Sequence, residues 1–344
     1  MNTNDILILR GEEVITLLKG QELRIVDTVQ AAYAAHATGH SSLPHSLFLR
    51  FPDDPGNRII ALPAYLNSGF NTAGMKWIAS FPANGKSGLD RASAVLIINS
   101  ATTGRPEAML EASVISAKRT AASAALAARS LSNESVQHVG LVGCGLINYE
   151  VTRFLLAVFP GIRSLAIYDK SPNSAAVFKQ KINELFASLD VQVKTHVDDV
   201  FASGKLISFA TTAGDPWVEN LDACLPGSTI LHVSLRDLKP EVILGADNVV
   251  DDVDHVCRAK TSVHLAEEFV GHRDFIRCTL ADVFGNTAPP KQDPSRVTIF
   301  SPFGLGVLDL AVGKLVCNLA DQQRVGTVIP SFLPDVWHQR SEAA

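Results

Sequence analysis

Between Asn57 and Asn99, short apolar stretches alternate with Pro, Gly and Asn breaks, and three of them, Asn57–Ala64, Ala73–Ser80 and Ala92–Asn99, have the length and composition of strands. The whole segment from Asp5 to about Pro106 therefore reads as strand-rich. Glu107–Leu131 then runs without Gly or Pro and is rich in Ala and Leu, which predicts one long helix tethering two domains. From Val136 the rhythm changes. Val136–Val142, Ser164–Tyr168 and Val191–Thr195 predict strands, with helices at Asn148–Val158 and Ser174–Ser188 between them, the beat of a parallel sheet with helical crossovers. Leu206–Ala210, Thr229–Val233 and Val249–Asp251 supply further strands. Near Arg296 this beat stops; Val297–Ser301 predicts a strand and Gly306–Leu319 a helix that returns to the first domain.

Composition narrows the function classes. A chain of 344 residues exceeds what one core usually supports, so two domains are expected. With 47% hydrophobic and 19% charged residues and a net charge of -5, it lies in the ordinary globular range and has no overall attraction for polyanions, so nucleic acid is not an expected partner. Apolar runs such as Ala94–Asn99 and Val139–Ile147 fall short of the ~20 residues of a bilayer span, and Met1–Leu9 has no cationic segment leading into an apolar one. No membrane association and a cytoplasmic location are expected. The five cysteines, at 144, 224, 257, 278 and 317, are odd in number and form no Cys-x-x-Cys pair, so disulfides are not implied. His255, Cys257 and His264 match no zinc spacing, and no metal is expected.

The sharpest motif is Gly143-Cys-Gly145-Leu146-Ile-Asn148, at the turn from a predicted strand into a predicted helix and followed by Asp169 after the next strand. Gly143 permits a tight turn, Gly145 lets backbone approach a pyrophosphate, and the helix N-terminus offers N–H groups to an anion. Asn148 stands where a third Gly or Ala is usual. An acid at Asp169 suits a free ribose 2′-hydroxyl and repels a 2′-phosphate, which favours NAD over NADP, although Lys170 and Ser171 follow at once. The fold class is thus α/β: a Rossmann-type doubly wound parallel sheet beside a strand-rich α+β domain.

Leu49-Arg50, Leu62-Pro-Ala64, Gly74-Met-Lys76, Thr103-Gly-Arg-Pro106, Ser116-Ala-Lys-Arg119-Thr120-Ala-Ala, the Gly143 turn, Ser234-Leu-Arg-Asp237 and Phe300–Asp309 together resemble the ornithine cyclodeaminase and mu-crystallin family over nearly the whole chain. The resemblance implies a substrate-binding and dimerisation domain over 1–125, a Rossmann NAD-binding domain over 126–298 and a C-terminal segment, 299–344, completing the first. It also implies a homodimer. Phe48–Asp53, Arg58–Leu66, Lys76–Pro82 and Leu89–Leu96 are most similar to the branch of N-(2-amino-2-carboxyethyl)-L-glutamate dehydrogenases of siderophore biosynthesis, which form 2,3-diaminopropionate, 2-oxoglutarate and NADH. Ornithine cyclodeamination, alanine-type dehydrogenation, ketimine reduction and a mu-crystallin-like binding role stand as alternatives, since fold does not fix function.

Charge favours a substrate with several carboxylates. Arg50, Lys76, Arg91 and Arg119 are cations in or beside the motifs that the resemblance places at the substrate, and guanidinium groups clamp carboxylates with paired hydrogen bonds. Arg119 lies in a helix among small residues, where an unpaired buried charge is costly. The resemblance makes Asp237 the acid or base, with Lys76 a second catalytic candidate and His232 the fallback base. Cofactor candidates are Gly143, Gly145, Leu146, Asn148, Asp169, Thr120, and Thr212 and Ser234 after strands at the nucleotide edge. In Phe300-Ser-Pro-Phe-Gly304, Pro302 stands where many members of the family carry a Ser, so that hydroxyl contact is missing and Phe303 is expected to shape the pocket.

Overall fold

The computed structural model describes residues 4–132 and 135–336. Met1–Thr3 of the expected first domain and residues 337–344 of the expected C-terminal segment lie outside the described residues. In chain order the first elements are β1 (Ile6–Leu9), α1 (Gly11–Leu17), α2 (Glu22–Ala37), β2 (Ser41–Ser42), β3 (Leu47–Phe51), β4 (Asp54–Leu66), β5 (Thr72–Ser80), β6 (Ala92–Ser100), β7 (Pro106–Glu111) and α3 (Ser113–Leu131). Then come β8 (His138–Val142), α4 (Leu146–Val158), β9 (Ser164–Tyr168), α5 (Pro172–Leu185), β10 (Asp190–Val193), α6 (Val197–Phe201), β11 (Leu206–Phe209) and β12 (Thr229–His232). The chain continues through α7 (Pro240–Leu244), β13 (Asp247–Val250), α8 (Val253–Val256), α9 (Ser262–Val270), β14 (Ile276–Thr279), α10 (Leu280–Phe284), β15 (Thr298–Ser301), α11 (Gly306–Gln323) and β16 (Thr327–Ile329).

Two compact units result, one from Met1–Gln21, Ala35–Ser116 and Leu305–Ala344, the other from Glu22–Ala34 and Ala117–Gly304. The first unit holds an eight-stranded sheet in the order β16-β1-β7-β6-β5-β4-β2, with β3 also paired to β4. β4 to β7 form an antiparallel meander, and β1 runs parallel to β7. α11 packs across β4, β5 and β6, and it approaches closely because Gly306 lies against Leu62 and Ala64 and Gly313 against Leu96 and Ile98.

The second unit holds an eight-stranded sheet in the order β10-β9-β8-β11-β12-β15-β13-β14, parallel throughout. β8, β11 and β12 are apolar runs buried along nearly their whole length, as expected of strands covered on both faces. α3 carries Ala121, Ala122, Ala124, Ala125, Ala127 and Ala128 fully buried, so its small side chains permit close packing.

Three expectations change. Residues 107–111 belong to strand β7, not to the helix. Their burial alternates, Ala108 and Leu110 inward and Glu107 and Met109 outward, and pairing with β6 and β1 overrides good helix propensity. The helix starts at Ser113, and the Glu111 carboxylate accepts the amides of Ser113 and Val114. The amino-terminal stretch read as strand-rich contains the 16-residue helix α2, whose buried Ile25, Val26, Val29, Ala32 and Tyr33 keep helical spacing. Finally, β15 lies inside the second sheet between β12 and β13, and the segment assigned to the first unit starts at Leu305.

Candidate active site

In the second sheet β9 and β11 flank β8 on opposite sides, so the strand order reverses at β8 and a crevice opens beyond the carboxyl ends of β8 and β11, the usual ligand position in such sheets. The turn after β8 is shaped for close approach. Gly143 has φ +92°, and a Cβ there would collide with the Ala210 carbonyl, so only glycine fits. Gly145 caps α4, is exposed, and has open space where a Cβ would stand, leaving the first amides of α4 accessible to an anion. Leu146 is 59% exposed beside it. This backbone cradle fits a dinucleotide pyrophosphate.

Asp169 stands at the end of β9, and its two oxygens accept the amides of Cys144 (2.8 Å) and Ser171 (2.8 Å). The carboxylate is thereby aimed at the turn, where a ribose binds in this fold. The Ser171 hydroxyl caps α5 by accepting from the Ser174 amide, and the Lys170 ammonium lies over the Trp217 ring at 5.4 Å, so both are engaged within the protein. Asn148 departs from its expected cofactor role. It is fully buried, its Nδ2 donates to the carbonyls of Val142 (3.0 Å) and Gly143 (2.7 Å), and its Oδ1 accepts from Ser208 Oγ (2.7 Å). It holds the turn from beneath instead of facing a ligand.

Asp237, in the loop after β12, is fully buried. One oxygen accepts from Trp217 Nε1 (3.0 Å) and the Thr211 hydroxyl; the other accepts from the Ser234 hydroxyl and lies 3.4 Å from His232 Nε2. Burial raises this carboxyl, but the hydrogen bond and charge of His232 and the hydroxyls of Ser234 and Thr211 outweigh it and hold it at about 2. A carboxylate so satisfied carries its negative charge at neutral pH. Its fixed, desolvated negative charge suits stabilisation of a cation. His232, the fallback base, is buried too, its Nδ1 3.3 Å from Ser301 Oγ. Thr212 is exposed, whereas its neighbour Thr211, unmarked in the sequence, touches Asp237. Thr120 is half-buried on α3.

Arg119 is buried on α3 against Gly304, where a Cβ would stand 2.7 Å from its Nη1. Gly304 (φ +92°) and Phe303 are fixed by Asp251, whose oxygens accept their amides at 2.8 and 2.9 Å. Burial pushes the Asp251 carboxyl up to about 6, against the pull of those amides. Phe303 packs beside Leu235, Val250, Val256, Cys257 and Val263.

The first unit holds the other candidates. Lys76, on β5, is 2% exposed; its ammonium lies 2.7 Å from Asp309 Oδ2 on α11 and donates to Ser116 Oγ at 3.0 Å. Its charge is therefore already matched inside the unit. Asp309 and Ser116 were not singled out from the sequence; a lone acid inside the apolar run Gly306–Leu319 was the available signal. Arg50 is exposed over the Phe48 ring, and Arg91 is half-buried, its Nε donating to Ser80 Oγ at 3.3 Å. Burial pushes the Arg91 guanidinium down from its ordinary value.

Elsewhere in the second unit a cavity of about 680 Å³ opens at the amino-terminal ends of β8, β11, β12 and β15, away from the Gly143 turn. Arg277 there is paired with Asp247, and Lys291 donates to the Arg296 carbonyl, so it offers little spare charge. Among the described residues no group of His, Cys, Asp and Glu is arranged to hold a metal, and no helix is long and apolar enough to cross a membrane.

The model of the ornithine cyclodeaminase/mu-crystallin family matches residues 7–324. The chain belongs to this family. Within it, the chain is 28% identical over 310 residues to N-((2S)-2-amino-2-carboxyethyl)-L-glutamate dehydrogenase of Staphylococcus aureus, covering 88% of this chain and 92% of that protein. It is 29% identical over 335 residues to alanine dehydrogenase of Archaeoglobus fulgidus, covering 95% and 98%. The solved structure of an archaeal alanine dehydrogenase dimer with bound NAD superposes with a TM-score of 0.83 at 26% identity, over 94% of this chain and 99% of that one.

Proposed function

We propose that this protein is an NAD-dependent oxidoreductase acting on the C–N bond of an amino-acid-derived substrate with several carboxylates, specifically N-(2-amino-2-carboxyethyl)-L-glutamate. The observation that carries the cofactor reading is the Gly143 turn with Asp169 bonded to the Cys144 amide, a cradle whose acid favours NAD over NADP. The substrate reading is supported by the likeness to the Staphylococcus aureus dehydrogenase and by Arg50 and Arg91, neither of which is ion-paired among the described residues. Likeness to an alanine dehydrogenase dimer, and exposed Trp77 and Met109 on the first sheet, support a homodimer. A cytoplasmic location and a place in siderophore or peptide natural-product biosynthesis belong to the same proposal.

NAD, when bound, would supply the hydride acceptor for oxidation at the glutamate Cα. Hydride loss leaves a positively charged C=N group; water adds to that carbon, the surplus proton passes to solvent and the C–N bond breaks, giving 2-oxoglutarate and 2,3-diaminopropionate. The chain's part is placement and charge. Asp237, ionised at any physiological pH, stabilises the positive charge that develops on the substrate nitrogen. Gly145, Leu146, Thr120, Thr212, Ser234 and Asp169 border the cofactor. Arg119, braced by the Gly304 turn, and Lys76, held by Asp309 and Ser116, act on substrate carboxylate.

Incubation with NAD and the conjugate, ornithine or alanine, followed at the NADH absorbance, tests the reading. NADH is expected with the conjugate alone. NADH from alanine only, proline and ammonia from ornithine without net NADH, or no turnover at all would replace it by alanine dehydrogenation, cyclodeamination or a binding role respectively.

A further inference from the structure

The chain between β11 and β12 leaves the second sheet at its nucleotide edge and closes around Asp237. It begins behind the Gly143 turn: a Cβ on Gly143 would meet the Ala210 carbonyl and stand 3.2 Å from the Thr211 amide nitrogen, and the Ala210 amide donates to the Val142 carbonyl at 2.9 Å. The Thr211 hydroxyl then works in two directions, accepting the Ala213 amide at 3.1 Å and donating to Asp237 Oδ1. Further along, Trp217 Nε1 donates to that same oxygen at 3.0 Å, while the Asp237 carbonyl accepts the amides of Trp217 (2.8 Å) and Val218 (2.9 Å). One segment thus fastens both the carboxylate and the backbone of the aspartate. All of these residues belong to the second unit.

Trp217 also meets the coenzyme corner. Lys170 Nζ lies 5.4 Å from the centre of its ring, and Lys170 directly follows Asp169, which accepts the Cys144 amide inside the Gly143 turn. Lys170 is exposed, so its hold on the indole is shallow, a factor of about two to five, and yields to charge brought nearby. A diphosphate on the Gly143 turn is such a charge. The half-buried indole packs against the core beside Phe209, a place that Phe or Leu would fill without offering an N–H. Two routes therefore run from the turn to Asp237 Oδ1, one through Thr211 behind it and one through Lys170 and Trp217 beside it.

We propose that Thr211 and Trp217 are positioning residues that set the Asp237 carboxylate according to whether a dinucleotide lies on the Gly143 turn, so that the carboxylate is fully aligned only in the coenzyme complex. Both act through Oδ1, not on the substrate. The inference rests on NAD binding to that turn and is independent of which amino-acid conjugate is oxidised.

Fluorine NMR of protein labelled with fluorotryptophan reads this without turnover. The chain has three tryptophans, at 77, 217 and 337, so Trp77→Phe with Trp337→Phe leaves Trp217 as the sole signal. NAD, at saturation by calorimetry, is expected to move that signal. The displacement is expected to shrink by about half or more in Lys170→Met and in Thr211→Val while NAD still saturates, and to return in Thr211→Ser, which keeps the hydroxyl. Lys170 is exposed, so its variant serves even if Thr211→Val does not fold. With the conjugate, Trp217→Phe is expected to lower kcat about tenfold at little-changed KM. A Trp217 signal blind to saturating NAD, or displaced as in wild type when Lys170 or the Thr211 hydroxyl is gone, overturns the proposal, as does wild-type kcat in Trp217→Phe. An NAD-dependent signal without NADH from the conjugate overturns the reaction proposed above and leaves this coupling standing; NADH formation beside a signal blind to NAD does the reverse.

Discussion

The two units keep a charge out of water in different ways. In the second, Asp237 is surrounded by neutral donors and an imidazole, so it stays ionised with its carboxyl held at about 2. In the first, Lys76 is matched by a full opposite charge on Asp309, both essentially without solvent contact. The first arrangement spreads its compensation over several dipoles and one imidazole; the second sets one ion directly against another. Lys76 is therefore tied as much to the integrity of the fold as to ligand.

The sharpest way to break this contrast is Lys76→Met. Removing one partner of a buried pair strands the other, and a loss of ~3–5 kcal/mol of stability is expected in urea unfolding, recovered in large part by adding Asp309→Leu. A single variant costing under ~1 kcal/mol would show that the pair is wet or mobile in solution.

Asp237→Asn comes next. It keeps shape but removes the charge, and kcat with the conjugate is expected to fall ~10²-fold or more while NAD affinity, read by fluorescence titration, changes little. Because the wild-type carboxyl sits at about 2, acidification above about pH 4 does not protonate it. Any acid limb seen between about pH 5 and 7 is expected to survive in the Asn variant. Disappearance of that limb would restore Asp237 as the base.

The smallest effect concerns Asp251. Its folded pKa, about 6, lies above the ordinary 3.8, so the folded state holds the proton more tightly than the unfolded chain. The contribution to stability is complete below about pH 4 and is lost as pH rises to about 6. The Tm difference between wild type and Asp251→Asn is expected to decline by a few degrees across that window and stay level above it. A flat difference would mean that the Phe303 and Gly304 amides hold the carboxylate ionised throughout.

What was legible in the sequence follows the same division. The nucleotide edge is local: a strand, Gly143, Gly145 and a helix start lie within one short run, and Asp169 ends the next strand, so spacing alone describes the cradle. Asn148 was misread because its position in the motif says nothing of which way its amide turns; only the carbonyls of Val142 and Gly143 above it decide that. The first unit is non-local. Lys76 meets Asp309 across most of the chain, a pairing that the sequence leaves open. β7 was lost because Glu, Ala, Met and Leu are good helix formers, although the alternation at Ala108 and Leu110 was there to be counted. Spacing at Ile25, Val26, Val29, Ala32 and Tyr33 likewise marked α2.

The docking of α11 on the meander has a consequence for biosynthesis. Chains leave the ribosome amino end first, at ~5–20 residues per second, and domains generally fold as they emerge. The second unit is contiguous from Ala117 to Gly304, apart from Glu22–Ala34, and is fully translated before Asp309 appears. Until then Lys76 faces a sheet without its counter-charge, and Leu62, Ala64, Leu96 and Ile98 lack the helix that covers them. The sheet of the first unit thus waits, sticky and half-built, while the chain from Ala117 to Asp309 is made, roughly 40 seconds at the slower of those rates. Chaperone demand, and the harm done by premature termination, concentrate in that interval.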